Sequence, residues 1–256
     1  MDRTELLARF DLTGRVAIVT GGSRGIGEAI AKGFAAVGAK VAIASRKPQP
    51  CEQVAAEIEA ASGVALAVPT HVGDDDQLGA LVEATVAHFG GVDIVVNNAA
   101  NPLALPIGSI TPEAFAKSHD VNLRGPVFLV QHALPHLRAS DPPAVVNVVT
   151  AGVFTSGAYV SLYVAAKAAL VSMTRAMAAE LAPSGIRVNA LAPGTVDTQM
   201  VRNTPEAFQQ LAVDAQLIKR MAEPEEMVPP ALFLASEASS FMTGQVLVVD
   251  GGMTTP

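Results

Sequence analysis

The chain predicts a doubly wound α/β fold, a single domain over residues 1–256 with a seven-stranded parallel sheet between two helix layers. Two observations carry this expectation. Apolar, β-rich runs alternate with Ala-rich helical patterns from end to end, which right-handed crossovers turn into a layered sheet. The runs are also apolar almost without a break, as strands covered on both faces require, rather than alternating in polarity.

Strands are expected at residues 16–20, 40–45, 65–68, 94–96, 145–149, 187–191 and 246–249. Helical patterns fall between them at residues 25–37, 52–61, 75–89, 112–121, 127–137, 162–181 and 225–234. Gly38, Gly63, Gly90-Gly91 and Pro183-Ser184-Gly185 lie just past helix ends, where a left-handed residue or a breaker is expected. Residues 194–221 are the least regular stretch, interrupted by Pro205 and containing Gln199, Asn203 and Gln209-Gln210. A long segment of this kind in a compact domain reads as a lid.

Composition narrows the function classes. Half the residues are apolar and 16% are charged, which excludes a disordered chain. A formal charge of −7 with no run of Lys or Arg argues against nucleic acid and an anionic membrane surface as partners. Cys51 stands alone, so no internal disulfide forms and a reducing cytoplasm is the expected location. Residues 1–14 are charged and lack the apolar stretch of a secretory signal. Residues 142–166 carry no charge, yet their prolines, glycines, Asn147 and hydroxyls fit a buried strand and turn, not a membrane span. His88, His119, His132 and His136 have no metal-ligand partners at useful spacing, so no metal site is expected.

Directly after the first strand runs Thr20-Gly21-Gly22-Ser23-Arg24-Gly25-Ile26-Gly27. Gly21 permits a tight turn, Gly25 lets backbone approach a phosphate, and Gly27 allows close helix–sheet packing, with the following helix aiming its amides at a pyrophosphate. NAD sites place Asp or Glu about 20 residues on, but no carboxylate lies between Glu28 and Glu52. The second strand instead ends Ser45-Arg46-Lys47, and Arg24 lies in the turn itself. Two guanidinium groups suit a 2′-phosphate, so NADP(H) is expected in preference to NAD(H).

Tyr163 and Lys167 lie four apart on one expected helix and therefore share a face. With Asn97-Asn98-Ala99-Ala100, Asn122, Pro193-Gly194-Thr195, Thr198 and Asp250-Gly251-Gly252, they make a constellation that resembles the short-chain dehydrogenase/reductase family over nearly the whole chain. The resemblance implies a Rossmann-type domain in which Tyr163 gives a proton in reduction and takes one in oxidation. A free phenol, with a pKa near 10, stays protonated at neutral pH and is no effective base, so a neighbouring ammonium together with the oxidised nicotinamide is expected to lower it. Lys167 would also hold the nicotinamide ribose, and Asn122 would support a water-linked proton relay.

Thr150 occupies the position, 13 residues before Tyr163, where similar enzymes place the Ser that polarises the substrate carbonyl. It keeps the hydroxyl but adds a methyl that restricts χ1. Thr155, Ser156 and Ser161 are nearby hydroxyls, though only Thr150 directly follows the strand. The resemblance further assigns cofactor contacts to Ser23, Arg24, Ile26, Ser45, Arg46, His71, Val72, Asn98, Ala99, Ala100, Pro193, Gly194, Val196 and Thr198, besides the glycines, Tyr163 and Lys167. His71-Val72 stands where Asp-Val often meets adenine, and Ala100 where Gly is frequent.

Val153, Phe154, Tyr159 and Met200 are expected to wall the substrate pocket, helped by Pro102, Leu103, Gly152, Val196 and Val201. Such a wall suits a small apolar ketone, aldehyde or secondary alcohol. Arg202 and Lys219 could meet an anionic group. A 3-oxoacyl thioester reductase is the narrower alternative, although residues 139–143 and 183–185 contain no Lys or Arg with which to engage an acidic carrier protein. A catalytically silent NADP(H)-binding module is the alternative from another class. A longer epimerase or dehydratase would need a C-terminal substrate domain, for which only six residues remain after Asp250. Ala165, Ala168, Ala169, Val171, Ala176 and Ala179 on the expected 162–181 helix suit close helix pairing, and similar enzymes are often homotetramers, or dimers.

Overall fold

Every residue of the four central strands is buried, as their unbroken apolar sequences require. The strands are β1 (Val16–Thr20), β2 (Lys40–Ser45), β3 (Val64–Pro69), β4 (Ile94–Asn97), β5 (Ala144–Val148), β6 (Arg187–Pro193) and β7 (Val246–Val249). All neighbours pair in parallel, in the order β3-β2-β1-β4-β5-β6-β7. This computed structural model describes residues 1–155 and 157–255. The expected seven-stranded, doubly wound sheet is what it contains.

The helices are α1 (Arg3–Ala8), α2 (Gly25–Ala36), α3 (Pro48–Ala60), α4 (Asp75–Phe89), α5 (Pro112–His119), α6 (Gly125–Ala139), α7 (Ser161–Leu181), α8 (Gln199–Arg202), α9 (Glu206–Asp214) and α10 (Val228–Ala235). They divide between the two faces. Ala17 and Val19 of β1 join a core built with Ile30 and Phe34 of α2, Val54 and Ile58 of α3 and Leu234 of α10. Ile18, between them, points the other way, into a core with Leu78 and Leu81 of α4, Leu129 of α6 and Met177 of α7. This is the period-2 alternation of a strand sandwiched between helices.

The crossover from β3 returns the chain to β4, on the far side of β1. At such a reversal of strand order a crevice opens beyond the carboxyl ends of the strands. All six loops that carry expected site residues, those after β1 to β6, leave from these ends.

Four departures from the expected elements have local causes. The charged start folds as α1, capped by the Asp2 side chain on the Glu5 amide while Glu5 returns the bond to the Asp2 amide. Helix α3 begins four residues before the expected Glu52, because Pro48 is compatible with a first helical position. The expected 225–234 helix is split into a 3₁₀ turn at Pro224–Met227 and α10, since Pro229 and Pro230 have no N–H to continue the earlier turn. Most consequential for the site, the expected gap after residue 121 does not exist. A π-helical turn at Asp120–Arg124 joins α5 directly to α6, and Gly125 closes it by donating to the Asp120 carbonyl.

Gly125 is where the π turn meets the loop after β3. A Cβ there would collide with the Val72 carbonyl oxygen. Gly125→Ala is therefore expected to destabilise the protein by about 1–3 kcal/mol through overpacking, with Tm falling roughly 2–4 °C per kcal/mol. Gly108→Ala, which meets nothing within 4 Å, is the control. Equal melting curves for the two variants would contradict this packing.

Candidate active site

The glycine turn is built around one side-chain amide. Asn98 Nδ2 donates to the carbonyls of Thr20 (2.9 Å) and Gly21 (3.3 Å). Thr20 Oγ1 accepts from the amides of Asn98 and Ala99 and donates to the Val96 carbonyl. Gly21 has φ +65° and Gly25 φ +55°, backbone conformations that other residues adopt at a cost. No side chain caps α2, so its first-turn amides remain available at the positive end of the helix dipole. Ser23 and Ile26 flank this end, both partly exposed. The cradle fits a pyrophosphate group.

Thr198 lies over it: a Cβ on Gly25 would come within 3.0 Å of Thr198 Cγ2. Arg24 is exposed and reaches the same segment, its Nη1 donating to Gln199 Oε1 at 2.8 Å. One of the two expected guanidinium groups is thus engaged with the segment after β6. Arg46 and Lys47 stand exposed at the end of β2, beside a partly buried Ser45.

After β3 the expected adenine pair is drawn into the fold. His71 Nδ1 accepts from the Gly73 amide at 3.1 Å, which leaves Nε2 as the ring's free position. Val72 is buried against the α4–α6 side of the sheet. Its side chain packs into that core. Val196 is likewise buried, 3% exposed in the α2–α3–α10 core, and bridges to Ala222. Pro193 is buried as the last residue of β6, Gly194 donates to the Val249 carbonyl, and Ala99 and Ala100 are partly exposed beyond β4.

Tyr163 and Lys167 lie on successive turns of α7. Lys167 is 1% exposed, and its Nζ donates to the Val148 carbonyl at 2.7 Å, which carries it to the end of β5. Burial pushes its pKa down to about 7. Tyr163 keeps partial exposure as a residue, but its phenol is desolvated and pushed up to about 12. The expectation that a neighbouring ammonium lowers the phenol is not met by the protein's own groups. Desolvation penalises both charged forms and leaves the phenol neutral and the amine half-protonated near pH 7.

Thr150 follows β5, and its Oγ1 accepts from the Gly152 amide at 3.2 Å. With a lone pair held there, the hydroxyl proton is left to donate outward. Ser161 Oγ, two residues before Tyr163 at the start of α7, is buried without a hydrogen-bond partner. Ser156 lies outside the described residues.

Asn122 is fully buried inside the π turn. Its Oδ1 accepts from the Asn101 amide, and its Nδ2 donates to the carbonyls of Asn101 and Ser118, each at 2.9 Å. Both amide hydrogens are engaged, so the side chain clamps the loop after β4 to the turn and is not itself a relay donor. Ser118 is its ordinary i−4 neighbour, whereas Asn101 lies 21 residues away, beyond the reach of any helical period.

Phe154, Tyr159 and Met200 are 49%, 53% and 38% exposed, and Val153 packs on the β5–β6 core. Tyr159 has φ +69°, a strained value for a bulky residue, and its carbonyl accepts from Leu105 at 2.8 Å. That bond joins the loops after β4 and β5. Arg202 is held by both carboxylate oxygens of Asp197 at 2.6 and 2.8 Å, and Lys219 Nζ donates to the Asp214 carbonyl. Among the described residues, no helix is long and apolar enough to cross a membrane.

A doubly wound sheet with a glycine cradle at its switch point and a Tyr–Lys helix beside it defines the dinucleotide-dependent oxidoreductase class. A family model described as enoyl-(acyl carrier protein) reductase matches residues 21–254. The chain is 40% identical over 242 residues to a cis-4-hydroxycyclohexanecarboxylate dehydrogenase of Sinomonas cyclohexanicum, covering 94% of this chain and 96% of that one. It is 36% identical over 249 residues to a 2,5-dichloro-2,5-cyclohexadiene-1,4-diol dehydrogenase of Sphingobium indicum, covering 95% and 98%. A crystal structure of a short-chain type dehydrogenase/reductase from Mycobacterium marinum superposes with a TM-score of 0.92 at 36% identity, covering 98% of this chain and all of that one. The chain belongs to the short-chain dehydrogenase/reductase family, oxidoreductases that use a nicotinamide cofactor on alcohols and carbonyls.

The lowered pKa of Lys167 has a signature in stability. Its amine binds a proton up to about pH 10.5 in an unfolded chain but only up to about pH 7 in the fold. Stability relative to Lys167→Met should therefore rise with pH from about 7 to 10, by up to ~1.4 kcal/mol per pH unit, the slope for one proton. Tyr163 acts in the opposite direction only above pH 10. Urea unfolding of both proteins at pH 7, 8 and 9 checks this; parallel stability curves would refute it.

Proposed function

We propose that the protein is an NADP(H)-dependent oxidoreductase that interconverts a small, neutral, apolar cyclic ketone and its secondary alcohol, with Tyr163 as acid and base. One observation carries this reading. Tyr163 and a fully buried Lys167 on α7, with Thr150 at the end of β5, lie at the same carboxyl edge of the sheet as the uncapped glycine cradle.

The nicotinamide, when bound, supplies the hydride for reduction and, in its oxidised form, a positive charge that favours the phenolate. The protein's groups handle the proton. In reduction, the Thr150 hydroxyl donates a hydrogen bond to the substrate oxygen, and Tyr163 Oη passes its proton to that oxygen as the carbinol forms. A phenol near 12 stays protonated and serves as the acid. In oxidation, the phenolate takes the alcohol proton, and protonation of Lys167 beside it makes that form accessible. Asn122 holds the loop after β4 in place.

The phosphorylated cofactor is supported by exposed Arg46 and Lys47 at the end of β2 and by the lack of a carboxylate there. Residues named for the cofactor, from Gly21 to Gly27, at Ser45 and Arg46, and in the loops after β4 and β6, converge on this edge. The names of the two relatives describe ring alcohols, and the half-exposed Phe154, Tyr159 and Met200 offer a ring an apolar wall. Arg202 is neutralised by Asp197 and Lys219 is held by backbone, which favours a neutral substrate over a carboxylate. The exposed alanines 165, 168, 176 and 179 of α7 support helix pairing in a homotetramer working in the cytoplasm.

Oxidation of cyclohexanol-type alcohols with NADP⁺ and NAD⁺ tests the reading. Tyr163→Phe should lower kcat by about 10²–10⁴-fold. Thr150→Ser should retain activity, whereas Thr150→Val, which keeps shape but loses the donor, should lose about 10²-fold or more. Arg46→Asp should shift preference toward NAD⁺. Undiminished turnover by Tyr163→Phe removes the proposed acid, and cofactor binding without turnover of any alcohol or ketone leaves the silent binding module as the better description.

A further inference from the structure

We propose that Gln216 is a positioning residue that fastens the segment after β6 to the loop facing the nicotinamide. Gln216 is 2% exposed, while every other described residue from 197 to 221 is at least partly exposed. A buried amide is costly unless its polar atoms are paired, and this one is paired across two turns of chain. Oε1 accepts from the Thr195 amide at 3.2 Å. Nε2 donates to the carbonyls of Ile218 at 3.1 Å and Arg220 at 2.7 Å.

The surrounding backbone converges on the same point. Thr195 is held from its other side, where its carbonyl accepts from Ala222 at 2.9 Å. The Gly251 carbonyl accepts from both Leu217 and Ile218, at 2.8 and 2.9 Å, and a Cβ on Gly251 would press to 3.4 Å from Gln216 Nε2. The Gln216 amide therefore joins the Thr195 loop to the Ile218–Arg220 turn that follows α9, and the backbone of Leu217 and Ile218 ties that turn to Gly251. At its other end the segment is tied to the glycine cradle by Arg24–Gln199 and Thr198. Gln216 fixes where the segment returns, and with it Met200 and Val201 against the pocket.

This inference rests on the reading that the loop after β6 faces the nicotinamide, and its test separates the two. Gln216→Leu keeps the bulk but leaves Thr195 N–H and two carbonyls unpaired. Gln216→Glu fits only when protonated, because the neutral acid has one donor and one acceptor, whereas the anion has no donor for the Ile218 and Arg220 carbonyls. The charged neighbours are already engaged: Asp214 by Gln210, Lys219 by the Asp214 carbonyl, Arg220 by Glu226 and Asp250 by Thr254. Burial and those facing carbonyls raise the variant carboxyl's pKa, so its fit is lost as pH rises through that value.

The measurements are protection from hydrogen exchange over residues 195–221, and KM and kcat for NADP⁺ and a cyclic alcohol, between pH 5.5 and 8.5. Gln216→Leu should lose at least tenfold protection in 195–221 with β1 to β5 unchanged, and raise KM for both ligands at least fivefold at all pH values. Gln216→Glu should recover part of the wild-type protection and KM at pH 5.5, where its single O–H serves one of the two carbonyls, and match the Leu variant at pH 8.5. Unchanged local protection, loosening spread evenly over the sheet, or a Glu variant without pH-dependent recovery would each overturn the proposal. Should Gln216→Leu fail to fold, the Glu variant at the two pH extremes decides alone. A wild-type protein without turnover would sink the enzymatic reading, yet the exchange comparison would still decide the role of Gln216.

Discussion

The site depends on the space that Asn98 occupies beneath the glycine turn. Its amide holds the carbonyls of Thr20 and Gly21, and it does so where a Cβ on Gly21 or Gly27 would stand. The first turn of α2 is thereby drawn close to the end of β4, at the one place in the sheet where sequential strands part company. Glycine at 21 and 27 is thus required by contact within the protein, independently of any ligand. The ligand-facing consequence is the uncapped helix end that this packing leaves exposed.

A second constraint is electrostatic. Parallel strands buried on both faces make the edge of the sheet a poorly solvated place, and Lys167 reaches into it to meet the Val148 carbonyl. A lysine held by one neutral acceptor and no carboxylate has little to offset the loss of water, so its proton is weakly bound. Tyr163, one turn away, suffers the mirror-image effect. The pair is therefore tuned by burial toward a neutral phenol and a labile ammonium. A positive charge arriving beside them would favour the phenolate that oxidation needs, while loosening the lysine's proton further.

Much of this could be read from the chain because its signals are local. Unbroken apolar runs located all seven strands within a residue or two, and the glycine turn needs only its own backbone geometry. The π turn at Asp120–Arg124 was illegible for the opposite reason. Its cause is the Asn122 clamp on Asn101, a contact across 21 residues that no helical or strand period encodes. The burial of Val72 and Val196 was not legible either, because a motif fixes a backbone position without saying which way a side chain turns. The polar partnerships of the segment after β6, Arg24–Gln199 and Gln216–Thr195, join positions 175 and 21 residues apart and leave no trace in composition.

The division of labour between sheet and segment follows from these contacts. Tyr163 and Lys167, proposed to handle the proton, sit on a helix packed against the buried strands β5 and β6, where a displacement would disturb the core. Phe154, Tyr159 and Met200, proposed to meet the rest of the substrate, are half-exposed, so their side chains can change without disturbing the core. The Asp197–Arg202 pair shows the effect of one such choice. Had residue 197 been neutral, Arg202 would present a free charge near Met200 and the pocket would suit an anion; with the bidentate partner in place, the charge is matched within the segment. On the proposed reading, selectivity for a neutral ring would be set by a surface pair that leaves Tyr163 and Lys167 untouched.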